Sequence, residues 1–286
     1  MRSVVGIAVV LLLAGCRPAV TPVPAPVFDR LVNIGDRALH LHCTGEGAPA
    51  VVLESGLGND GSVWSDVQPG IAGFTRVCAY DRAGLGYSPG PAPRPHTNRL
   101  MARELHALLE RAGVPGPYVL VGHSMGGVNV RLFASEHLDS VAGMVLVDAT
   151  VDPLANVSEA QLAEFRALVV KANEGTDLDT FAAGAAEARK ANTSLGDRPL
   201  VVLTAGQPAN AAAGPTPWQR LQEELPGLST NSVHVTATNC HHFLQWEAPD
   251  LVVEAVHEVV VAARTHRRVQ SSTLTPRANE PARIPP

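Results

Sequence analysis

The chain has no basic run in its 286 residues, and its formal net charge is −5. Nucleic-acid binding needs a positive footprint to neutralise phosphates, so that class is set aside. Charge of either sign is sparse, at 17% against 45% hydrophobic residues. That balance leaves enough apolar side chains for a substantial buried core. No internal repeat is visible, which excludes repeat architectures. The apolar run from Val4 to Leu13 is too short to cross a bilayer comfortably. Cysteines number only four: Cys16, Cys43, Cys78 and Cys240. The length allows one large domain or two small ones.

What the N-terminus does hold reads as targeting, not fold. Arg2 supplies a minimal positive region before the Val4 to Leu13 run, which ends in Leu13-Ala14-Gly15-Cys16. Small residues before a cysteine resemble a bacterial lipobox. That resemblance implies a signal peptide over 1–15, removed on export, and diacylation of Cys16. Arg17, in place of an aspartate, points to an outer membrane, facing the periplasm, where the cell has one. Pro18, Pro22, Pro24 and Pro26 make 16–29 a stiff, extended tether. Export permits a disulfide. Cys43 ends one expected strand and Cys78 lies in another, so they are the preferred pair, although spacing leaves the bond open. Cys240 is then the odd thiol.

Beyond the tether, strands and helices alternate. Arg30 to Ile34 and Ala38 to Cys43 read as a hairpin around Gly35-Asp36. Ala50 to Leu53, Arg76 to Tyr80, Tyr118 to Val121, Val141 to Val147 and Pro199 to Thr204 are continuous apolar runs of the kind buried on both sheet faces. Val233 to Thr238 is the last strand. Helical spacing covers Asn98 to Ala112, Met125 to about Glu136, and about Glu159 to Ala172, with Ser158 as N-cap. It also covers about Leu178 to Ala191, Pro217 to Leu225, and Pro249 to Arg264. The expectation is an α/β fold with a mostly parallel sheet covered on both sides, spanning 30–265. The polar 266–286 tail is expected to be disordered.

The stretch with most chemistry is Gly122-His123-Ser124-Met125-Gly126-Gly127. A strand that turns at once into a helix lifts its middle side chain clear of both elements. Any Cβ at Gly122 or Gly126 would collide across that bend. Ser124 is thereby displayed beside the N–H of Met125, a nucleophile next to half of an oxyanion site. In parallel sheets the working loops follow the carboxyl ends of strands. Ser124, Asp148, His242 and the Gly56 loop all do so.

At this point the chain resembles the α/β-hydrolases. The resemblance rests on the Ser124 elbow, on Asp81-Arg82-Ala83-Gly84-Leu85-Gly86-Tyr87-Ser88, on the order Ser, Asp, His, and on His242-Phe243-Leu244 before the last helix. It implies Ser124 as nucleophile, His242 as base, and the N–H groups of Leu57 and Met125 as the oxyanion hole. It calls for no metal and no organic cofactor. Two departures stand out. The usual His-Gly after the first long parallel strand is Ser55-Gly56 here. The usual acid after the penultimate strand is missing, where Thr204-Ala205-Gly206-Gln207 stands; Asp148, one strand earlier, is the candidate acid, with Glu223 and Asp152 as fallbacks. His241 is a neighbour or substrate contact. His123 is expected to pack beside the sheet, and His40 and His42 share a strand face, with a metal site as the alternative reading.

The insertion from 152 to 197 is longer than one connecting helix requires and reads as a small helical lid. The expected activity is hydrolysis of a carboxylic ester through an acyl-enzyme, on a small-molecule substrate. Thioester, lactone or amide substrates, acyl transfer, and a non-catalytic binding lipoprotein stay open. A haloalkane dehalogenase or epoxide hydrolase would need a carboxylate at position 124.

Overall fold

A computed structural model describes residues 28–274 except 156, 192, 207–215 and 239. Residues 1–27, which hold the expected signal peptide, Cys16 and most of the expected tether, lie outside the described residues, as do Gln207 and the 275–286 part of the tail. Eight strands form one sheet: β1 (Phe28–Asn33), β2 (Ala38–Thr44), β3 (Ala50–Glu54), β4 (Val77–Asp81), β5 (Tyr118–His123), β6 (Val141–Val147), β7 (Leu200–Gly206) and β8 (Ser232–Thr238). Their spatial order is β1-β2-β4-β3-β5-β6-β7-β8. The β1–β2 and β2–β4 pairs are antiparallel, and all later pairs are parallel.

Alternation within each strand explains the continuous apolar runs. Val52, Leu120, Met144 and Val202 face one core. Val51, Leu53, Val119, Val145 and Leu203 face the other. The first core is covered by α2 (Asn98–Ala112), α3 (Met125–Glu136) and α5 (Leu178–Ala191). The second is covered by α1 (Gln68–Ala72), α7 (Leu244–Glu247) and α8 (Pro249–Thr265). Helix α2 starts where the Thr97 side chain accepts the Leu100 N–H, and stops at Gly113, whose φ of 70° suits a left-handed cap. Helix α4 (Glu159–Ala172) opens on a capping box between Ser158 and Gln161.

Two expectations need correction. Within the described part of the 152–197 insertion, α4 lies over the cleft, lining it with Phe165 and Leu168, and is mostly exposed. Helix α5 is a core helix: Phe181, Ala185 and Ala188 are buried, and Gly184 lies so close to Asn98 that no Cβ fits. Its small residues serve close packing. The tail also starts later than expected. Val269 and Leu274 are buried in the second core, with the Val269 N–H donating to Asn231 Oδ1 at 2.8 Å and that of Gln270 to Glu258 at 2.6 Å.

Cys43 and Cys78 sit opposite each other in the β2–β4 register and are bonded, with Cα atoms 4.0 Å apart. Cys240 is a free thiol.

Candidate active site

β5 ends at His123 and α3 begins at Met125, so Ser124 alone makes the turn, at φ 52° and ψ −120°. A non-glycine residue there is strained and must be held by its surroundings. Ser124 N–H donates to Val147 O at 3.2 Å, and its carbonyl accepts from Gly127 and Thr150, both at 3.0 Å. A Cβ on Gly122 would meet Gly126 O at 2.7 Å, and one on Gly127 would strike Ala149. The glycines are what let the bend close.

His242 reaches the displayed serine from the loop after β8. Its Nε2 is 2.9 Å from Ser124 Oγ, and its Nδ1 is 2.6 Å from Asp148 Oδ2. An ionised carboxylate can only accept, so Nδ1 carries the proton and the Nε2 lone pair faces the hydroxyl. Asp148 is 2% exposed and stands directly after β6, with φ 41°. Its other oxygen, Oδ1, accepts from Ala205 N–H and Trp218 Nε1, each at 3.0 Å. β7 thus contributes a backbone donor to the carboxylate.

Sequence reasoning missed Trp218 and the work of His123. Trp218 lies on α6 (Pro217–Gln222), whose Thr216–Gln219 capping box fixes its start. No local signal links it to Asp148. His123 does more than pack: its Nε2 donates to the His242 carbonyl at 2.8 Å, and its Nδ1 faces Gln245 Nε2 at 3.3 Å. Burial, with the neighbouring His242 ring opposing a second positive charge, holds the His123 pKa well below the ordinary histidine value. The neutral ring therefore anchors the loop that carries His242.

Leu57 and Ser124 line the same cleft, and Met125 is the first residue of α3. A Cβ on Gly56 would come within 3.2 Å of Ser124 Cβ and 2.9 Å of His123 Nδ1, so the loop after β3 lies hard against the elbow. The cleft has a volume of about 910 Å³. Its wall is largely apolar, with Val157, Phe165, Leu168, Trp218, Leu221 and Phe243.

A model of the alpha/beta hydrolase fold family matches residues 49–206, more than half of the chain. The chain is an α/β-hydrolase. Protein YqjL of Bacillus subtilis (strain 168) is 30% identical over 241 residues, covering 82% of this chain and 93% of that protein. Among solved structures, a thermophilic esterase from Thermogutta terrifontis has a TM-score of 0.59 at 20% identity, covering 84% of this chain and 99% of that one. The epoxide hydrolase CorEH has a TM-score of 0.60 at 18% identity, over 82% of this chain and 99% of that one. At these identities the two structures show the fold alone.

Other histidines of this α/β-hydrolase have local partners. His40 spans Asp29 and Asp81 at 2.6 and 3.0 Å, beside a second cavity of about 580 Å³. Among the described residues no group of three His, Cys, Asp or Glu side chains is placed to hold a metal. His241 is exposed and bonds Glu247 at 3.0 Å.

Proposed function

We propose that the protein is a serine hydrolase that cleaves uncharged carboxylic esters. The observation that carries this reading is the unbroken chain Ser124 Oγ, His242, Asp148, at 2.9 and 2.6 Å, opening into an apolar cleft. His242 takes the proton from Ser124 as Oγ attacks the ester carbonyl. Asp148 holds the imidazole in that tautomer and stabilises it once charged. The N–H groups of Leu57 and Met125 receive the tetrahedral oxyanion, each worth roughly 3 kcal/mol. His242 then returns the proton to the leaving alcohol and activates water against the acyl-enzyme. A serine at position 124 supports this over epoxide opening, which needs a carboxylate nucleophile there.

The proposal extends to an exported, lipid-anchored enzyme, tethered through Cys16. The bonded Cys43 and Cys78 support an oxidising compartment. The activity is tested with p-nitrophenyl esters from acetate to palmitate, wild type beside Ser124→Ala. Turnover that vanishes in the variant supports the reading, and the chain-length optimum measures the cleft. No turnover in wild type, and no labelling of Ser124 by a fluorophosphonate, would leave a binding protein instead. Palmitate incorporation that is lost in Cys16→Ser tests the anchor.

A further inference from the structure

The loop that carries Leu57 is clamped from beneath by a buried charge cluster. Arg82, 2% exposed, donates from Nη1 to Ser55 O at 2.7 Å and from Nη2 to Gly56 O at 2.6 Å. The same guanidinium pairs with Glu54 at 2.8 Å and, through Nε, with Glu174. Both carboxylates are fully buried. Glu174 Oε2 accepts the Gly58 N–H at 2.9 Å, and Asn59 Nδ2 donates to Leu57 O at 3.0 Å.

These bonds fix the two peptide planes that flank Leu57. A trans peptide points its N–H opposite to its C=O. Arg82 holds Gly56 O, so the N–H of Leu57 in the same plane points away from Arg82. In the next plane, Glu174 holds one end and Asn59 the other. Removing either grip frees a rotation that would swing the Leu57 N–H.

Glu174 comes from the junction of α4 and α5, where the cover over the cleft is rooted. That junction is itself pinned: the Glu174 carbonyl lies 3.0 Å from His96 Nδ1, and the His96 N–H donates to Gly175 O at 2.9 Å. Burying charges at such a place is weak as a stability device, because desolvation offsets much of the attraction. Orientation of the loop gives the cluster a use that stability does not.

We propose that Glu174, with Arg82, is a positioning residue for the reaction, orienting the Leu57 N–H towards the oxyanion from the root of the cleft cover. This rests on Ser124 being the nucleophile. The test measures kcat and KM on p-nitrophenyl butyrate, and inhibition by a matched trifluoromethyl ketone, whose serine adduct carries an oxyanion. Wild type, Glu174→Ala, Glu174→Gln and Ser124→Ala are compared, with circular dichroism to check folding.

Glu174→Ala is expected to lose up to about 100-fold in kcat, the scale of one oxyanion donor. KM should stay within about twofold, and ketone affinity should fall in parallel with kcat. Glu174→Gln keeps an acceptor for Gly58 but not the charge that holds Arg82, and should lose about tenfold in both. If Glu174→Ala does not fold, the isosteric variant carries the test. Either folded variant at wild-type kcat, or a kcat loss with ketone affinity unchanged, overturns the proposal. Absence of Ser124-dependent turnover in wild type is a different result, and overturns the reading of Ser124 itself.

Discussion

Trp218 donates its indole N–H to Asp148 Oδ1 at 3.0 Å, the oxygen that His242 leaves free. Asp148 is thereby aimed from both sides. Trp218→Phe keeps the apolar wall but leaves Oδ1 with the Ala205 N–H alone. A hydrogen bond to a charged acceptor is worth about 1.5–3 kcal/mol. Trp218→Phe is expected to lower stability by that order, read from the urea midpoint, and to lower kcat by about tenfold with little change in KM.

Asp148→Asn separates charge from shape. The amide fits the same space, but it would have to turn its NH2 away from His242 to accept from Nδ1–H, and it carries no charge to stabilise the imidazolium. A fall in kcat of about 10⁴ is expected, with the fold retained by circular dichroism. Near-normal turnover would move the acid role to Asp152 or Glu223.

The convergence of Ser124, Asp148 and His242 was legible because each follows a strand end, and a parallel sheet sends its strand ends to one edge. The elbow was legible because its demands on Gly122 and Gly126 are local. Trp218 was not, because its partner lies 70 residues away and nothing near it in sequence marks the contact. Helix α5 misled for a different reason: small residues permit both movement and tight packing, and only Asn98 and α3 decide between them. The tail misled because Val269 and Leu274 are isolated apolar residues in a polar segment, too few to give a period.

The Cys43–Cys78 bond closes a sequence separation of 35 residues between β2 and β4. Chain-entropy reasoning puts its contribution near 4 kcal/mol at most, with about 2–4 typical. The Cys43→Ala, Cys78→Ala double variant is expected to unfold at a lower urea concentration by that order, with kcat unaltered, since neither residue lines the cleft. An unchanged midpoint would show that the strand pairing alone holds this edge of the sheet.

His123 should make the fold acid-sensitive in a way that one substitution can isolate. Its native pKa is depressed by burial and by His242, so the native ring refuses a proton that the unfolded chain accepts. Above about pH 6.5 neither state is charged at this site and its contribution to stability is complete. As pH falls below that value the unfolded state binds the extra proton, and stability drops by up to about 1.4 kcal/mol per pH unit until the native pKa is reached. His137 and His234, also depressed by burial, add loss of the same sign. His123→Gln can donate to the His242 carbonyl and accept from Gln245 without titrating. Urea denaturation from pH 7.5 to 4.5 should therefore show a shallower decline for His123→Gln than for wild type, the difference opening only below about pH 6.5. Parallel curves would mean that the native His123 takes up the proton as readily as the unfolded chain does.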